Sequence, residues 1–181
     1  MNLSLIVALA AIFGNADPSP ILLKLGEPLP PIRGDFLNGK NASLPEVAAG
    51  KVALLALGFS YESRFAVEDW VKKFREAFGK NPSATFYEIP MIGGIARLGK
   101  WFIDSGMRKG TPPQLHENVI TVYGGTDIWR SRVNFNEPKH AYLILLDKKG
   151  SVRWFFHGYF NEQDFPQLAA KVEELLNEDP H

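Results

Sequence analysis

The sequence predicts an α/β domain, a three-layer α/β/α sandwich with a central mixed sheet. Three observations predict it. Two uninterrupted apolar runs, residues 52–57 and 141–146, lack the alternation of a half-exposed strand and suit strands covered on both faces. Two stretches carry apolar residues at helical spacing: Val67, Trp70, Val71, Phe74 and Phe78, then Phe165, Leu168, Ala169, Val172, Leu175 and Leu176. Between the second run and residues 152–157, Asp147-Lys148-Lys149-Gly150 has the chemistry of a hairpin turn. The resulting order is βαβ, an insert, a β-hairpin and a closing helix, which buries a sheet between helices.

The chain starts with an apolar run, residues 3–13, followed by Gly14-Asn15-Ala16, a small-x-Ala pattern. The run is short for a bilayer span and right for the apolar region of a signal peptide, so residues 1–16 are expected to direct export to a periplasmic or extracellular site, or to anchor the chain there if uncleaved. Residues 17–31, with Pro18, Pro20, Pro28, Pro30 and Pro31, read as an extended linker into a domain spanning residues 32–178. A turn is expected at residues 38–41, and Ser43-Leu44-Pro45-Glu46 reads as the capped start of a short helix. The strand over residues 52–57 leads into a helix over 62–78, closed by Gly79-Lys80-Asn81-Pro82. A second strand is expected at 84–89, an inserted helix at 95–107, a short strand at 119–123, a short helix at 126–133 and the last helix at 162–176.

The 181 residues suit one main domain with a sizeable core, and 20 Lys and Arg balance 20 Asp and Glu. A net charge of zero argues against a nucleic-acid binder, which usually carries a basic excess. There is no cysteine, which removes thiolate chemistry but does not locate the protein, since disulfides are permitted and not required outside the cytoplasm.

The element order, together with Pro138 ahead of the hairpin, resembles the thioredoxin-like superfamily. Leu25-Gly26-Glu27-Pro28-Leu29-Pro30 is similar to the lead-in of redoxins. That family places Cys-x-x-Cys at the turn after the first central strand; here Gly58-Phe59-Ser60-Tyr61-Glu62-Ser63-Arg64 puts Ser60 and Ser63 there. The second half, with Asn136, Ala141-Tyr142-Leu143-Ile144-Leu145-Leu146-Asp147 and Val152-Arg153-Trp154, resembles the mitochondrial ATP synthase assembly chaperones. The resemblance implies a shared domain and a chaperone-like mode. The export-type N-terminus argues against the same client.

Several residues are candidates for a site. Ser60, Glu62, Ser63 and Arg64 lie at a helix N-terminus, where free N–H groups favour anions; the plainer reading makes Ser60 a cap and Arg64 a solvated side chain. Ser60 lacks the second glycine of a G-x-S-x-G nucleophile turn. The resemblance would make Pro138 a cis proline beside this corner, presenting backbone to an extended peptide; otherwise it is a loop proline. On the insert, Ile95, Leu98, Trp101, Phe102, Ile103 and Met107 form a broad apolar surface, either core-facing or a docking surface. Trp129 and Arg130 are candidate interface anchors or members of an ordinary amphipathic helix. His116, His140, His157 and His181 fall at no metal-ligand spacing, although His140 and His157 can approach across the hairpin, and no metal or cofactor is expected.

The expectation is therefore a non-redox thioredoxin-like protein that binds another protein as an assembly or chaperone-like factor. The alternatives are a small-anion binder at the former redox corner, or an enzyme using a non-thiol site built from Glu62, Arg64 and His157.

Overall fold

The computed structural model describes residues 22–178; the expected signal peptide and the first residues of the proline-rich segment lie outside them. The first central strand, β3 (Val52–Gly58), is buried along its apolar length because both faces are covered. It pairs in parallel with β4 (Ala84–Pro90) and antiparallel with β6 (Ala141–Leu146), which pairs antiparallel with β7 (Val152–Gly158). The sheet order is β4-β3-β6-β7. A second, antiparallel sheet of β1 (Ile32–Phe36), β2 (Asn41–Leu44) and β5 (Ile120–Thr121) has the order β2-β1-β5. Single parallel bridges, Glu88 to Val119 and Met91 to Val122, join its far end to β4.

Strand alternation divides the core in two. Val52, Leu54, Ala56, Ala141, Leu143 and Leu145 face α1 (Ser63–Phe78) and α4 (Phe165–Asn177). Ala53, Leu55, Leu57, Tyr142, Ile144 and Leu146 face the smaller sheet and α3 (Thr126–Arg132). Trp70 is fully buried under α1, and its indole N–H donates to the Gly158 carbonyl at 3.2 Å, tying α1 to the end of β7. Gly34 allows β1 to lie against β5, since a Cβ there would stand 2.5 Å from the Thr121 carbonyl oxygen.

The structure changes three expectations about the elements. From Leu22 onward the proline-rich segment is part of the domain: Gly26 and Glu27 hydrogen-bond with Val152, Leu29 N–H donates to Gly150, and the Leu29 side chain is buried. The apolar residue between prolines explains this, because a free linker would leave it in water. Ser43 is in strand β2, with its hydroxyl on Glu46 at 2.8 Å, so the following 3₁₀ turn Glu46–Ala48 begins without a side-chain cap. The insert begins as a 3₁₀ segment, Gly94–Gly99, and becomes α-helical as α2 only over Lys100–Gly110. Among the described residues no helix is long and apolar enough to cross a membrane.

Candidate functional site

At the end of β3 the chain turns sharply. Phe59 drops into the core edge-on to Phe135 and Tyr142, with ring centroids 5.2 and 5.4 Å away. The next residues form a closed hydrogen-bonded turn. Ser60 Oγ accepts the Ser63 N–H at 3.0 Å, while Ser63 Oγ accepts the Ser60 N–H at 3.2 Å and donates to the Ser60 carbonyl at 2.8 Å. Ser60 Oγ donates its own proton to the Pro138 carbonyl at 2.7 Å. This reciprocal pairing locks the turn ahead of α1, whose N-cap position, Glu62, makes no side-chain cap of its own. Gly58 makes room for it, since a Cβ there would stand 2.7 Å from Ser63 Oγ. Ser63 is fully buried at the first position of α1, so its hydroxyl is committed to the turn and does not face a partner.

Pro138 does lie beside this corner, but not as a cis proline. Leu44–Pro45 is the cis peptide bond among the described residues. The Pro138 loop is held from below by Tyr142, whose phenolic oxygen accepts the backbone N–H groups of Asn136 and Glu137 at 3.0 and 2.9 Å. Pro138 presents an exposed ring, while its carbonyl is taken by Ser60.

Outside the closed turn, Glu62 and Arg64 are exposed. The Arg64 guanidinium lies 4.2 Å over the Tyr61 ring and 4.5 Å over the Phe65 ring. Both rings are themselves exposed, 73% and 53%. Aromatic and Arg side chains of this kind are enriched in interface cores, and cation–π contacts hold the charge without neutralising it.

The insert has its polarity reversed. The buried residue of α2 is Asp104, whereas Leu98, Trp101 and Phe102 are 83%, 77% and 76% exposed. The helix is docked through ions: Lys100 Nζ reaches Asp35 and Asp104, both at 2.9 Å, and Tyr123 donates to Asp104 at 2.7 Å. The bond from Lys100, with one from Asn41, holds Asp35 below the usual carboxylate range. Burial opposes the Lys100 charge, but the two carboxylates outweigh it and hold the ammonium above its ordinary value. Burial pushes Tyr123 up, and Asp104 reinforces the shift. Core packing therefore does not hold for Leu98, Trp101 and Phe102, which stand in water, whereas Ile103 and Met107 are half-buried; the ion pairs and hydrogen bonds that dock α2 come from its polar residues.

The family model described as ATP10 protein matches residues 27–175. The chain belongs to the ATP10 family. This ATP10-family chain also has the thioredoxin-like fold. It is similar to BsSco, of the Sco family of cytochrome c oxidase assembly proteins, at 14% identity and a TM-score of 0.59, covering 87% of this chain and 99% of that one. It is similar to a Chlorobium tepidum protein assigned as the thiol:disulfide interchange protein DsbE, at 15% identity and a TM-score of 0.58, covering 86% and 99%. A thioredoxin domain of a thiol-disulfide oxidoreductase from Bacteroides vulgatus gives 23% identity and a TM-score of 0.56, with the same coverage, 86% and 99%. At these identities the likeness shows the fold alone. No curated protein matches the chain in sequence.

Two further candidates are corrected in this ATP10-family structure. Trp129 is buried in the core, with the Arg132 guanidinium 4.8 Å over its ring, so it cannot anchor a partner. Arg130 lies over the Phe135 ring at 5.0 Å and pairs with exposed Asp127 at 3.2 Å, so its guanidinium is already engaged within the chain. The three residues of the enzymatic alternative do not assemble. Among the described residues no hydrogen bond or ion pair joins Glu62, Arg64 and His157, and His157 instead meets His140.

The sequence reading passed over Glu88. It sits in β4, half-buried and facing α1, where desolvation, then the nearby Glu68 charge, push its carboxyl up to about 7 against the opposing pull of Arg75. A lone acid within the apolar segment Ala84–Pro90 was the available signal.

Proposed function

We propose that this chain is an exported, non-redox assembly factor that works by binding another protein through exposed aromatic surfaces. The observation that carries the reading is the Tyr61–Arg64–Phe65 cluster, exposed beside a corner that has no thiol. Membership of an assembly-factor family supports it, as does the reversed polarity of the insert, which leaves Trp101 and Phe102 in water. A thioredoxin-like domain without cysteine keeps the shape of a peptide-handling scaffold and none of its electron chemistry. Export rests on the apolar N-terminal run and the small-x-Ala pattern after it.

A bound anion at the corner is the weaker reading, because the hydroxyls and N–H groups of Ser60 and Ser63 that would receive it are already bonded to one another. The test is site-specific photocrosslinking in the native host, with the reactive residue at position 61 or 101 and a control at exposed Glu76 on α1. One dominant protein adduct from positions 61 or 101, absent at 76 and reduced by Arg64→Ala, is the expected result. Equal labelling at all three positions, or none, overturns the proposal. Cell fractionation of the full chain tests export separately: recovery only in the cytoplasm would remove that part.

A further inference from the structure

His140 and His157 are not close in sequence and carry no ligand motif, yet the hairpin brings them together. His157 is on β7 opposite Tyr142, and His140 is at the entry to β6. Their Nδ1 atoms stand 3.2 Å apart and their ring centroids 5.5 Å apart. The centroid separation exceeds the nitrogen separation by the two ring radii. The two Nδ1 atoms therefore lie on the line between the ring centres, each directed at the other. One ring donates and the other accepts, so a single proton bridges the pair.

The frame around the pair is aromatic. Tyr142 stacks on His157 at 5.3 Å and 15°, and Tyr159 packs edge-on to His140 at 5.0 Å. Both imidazoles are half-buried, which leaves an approach from solvent. No group of three or more His, Cys, Asp or Glu residues that could hold a metal exists among the described residues. A cation that needs four protein ligands, as structural zinc does, is poorly served here.

We propose that His140 and His157 form a binding site for one Cu(I) ion, held linearly between the two Nδ1 atoms. Opposed neutral nitrogen donors suit a monovalent d¹⁰ ion that is satisfied by two ligands, and imidazole is an accepted copper ligand. Metal–imidazole bonds are about 2 Å long, so a linear unit spans about 4 Å. The gap of 3.2 Å must then widen by less than 1 Å. His140 lies on the loop and not in the sheet, so the widening falls to its ring. The protons balance without a change in ring charge: the bridging proton leaves Nδ1 of the donor ring and the Nε2 of that ring takes one from water, so both imidazoles bind as neutral ligands.

The test is titration of the full, untagged chain with Cu(I) under ascorbate, in competition with bicinchoninate, beside His140→Gln, His157→Gln and a control His116→Gln. One equivalent is expected to bind in the wild type and in His116→Gln, with affinity falling at least 100-fold in either of the other two variants. Unchanged affinity in both of them, or no competition by the wild type, overturns the proposal. Because a substitution can disturb the fold, the wild type is also titrated with Ag(I), a redox-stable stand-in, and followed by imidazole ¹⁵N shifts. Paired shifts of the His140 and His157 Nδ1 signals support the site, and shifts confined to other histidines refute it.

Discussion

Glu88→Gln is expected to stabilise the protein at neutral and alkaline pH and to leave it unchanged in mild acid. Burial against α1 raises the folded-state pKa of Glu88 from 4.5 to about 7. Between these values the folded protein keeps a proton that the unfolded chain has lost. Stability contributed by this site is therefore full below about pH 4.5, falls as pH rises and levels off above about pH 7. A shift of this size corresponds to roughly 3 kcal/mol at 1.36 kcal/mol per unit. Glutamine fills the same space without a charge to desolvate, so the variant loses this pH dependence. Urea unfolding of wild type and variant at pH 5 and pH 8 measures it. The variant's unfolding free energy should exceed that of the wild type at pH 8, by up to roughly 3 kcal/mol, and the two should converge toward pH 5. The difference between the two proteins isolates Glu88 from carboxylates such as Asp35, whose lowered pKa gives the opposite slope in acid. If the two profiles run parallel across this range, the buried-acid reasoning is wrong.

Other perturbations follow from the same contacts. Trp70→Ala should cost about 3–5 kcal/mol through the cavity it leaves, whereas Trp70→Phe should cost less and report mainly the lost bond to Gly158; chemical denaturation separates them. Ser60→Cys combined with Ser63→Cys should form a disulfide on mild oxidation, because each side chain already reaches the backbone of the other across the turn, and thiol counting before and after oxidation checks it. Asp104→Ala should loosen the insert, since it removes the carboxylate that receives both Lys100 and Tyr123. Hydrogen exchange over residues 100–110 should accelerate while β3 and β6 remain protected.

The hierarchy of the fold was legible in the chain. The apolar runs at 52–57 and 141–146 suited strands covered on both faces, and the periodicity around Trp70 and Leu168 suited helices that cover them. Serines at the redox positions also excluded thiol chemistry without any coordinates. Local pattern could not say which face of the insert turns inward. Helical spacing places Leu98, Trp101 and Phe102 near one another but not against the core, and the decision fell to Asp35 and Tyr123, remote in sequence, which supply partners for Lys100 and Asp104. Trp129 is the converse case: an amphipathic segment looked able to present it, and packing against the smaller sheet buried it.

What the sequence by itself determined is the α/β class, the βαβ-to-hairpin order and the loss of cysteine chemistry, because these depend on periodicity and on which atoms are present. What only the tertiary structure decided is which polar groups are already paired. Ser60 and Ser63 close on each other, His140 meets His157 across a hairpin, and Glu88 is half-buried beneath α1. Those outcomes depend on distances of a few ångströms between residues far apart in the chain. In a dense interior such distances determine whether a charge or lone pair finds a partner, and local sequence does not encode them.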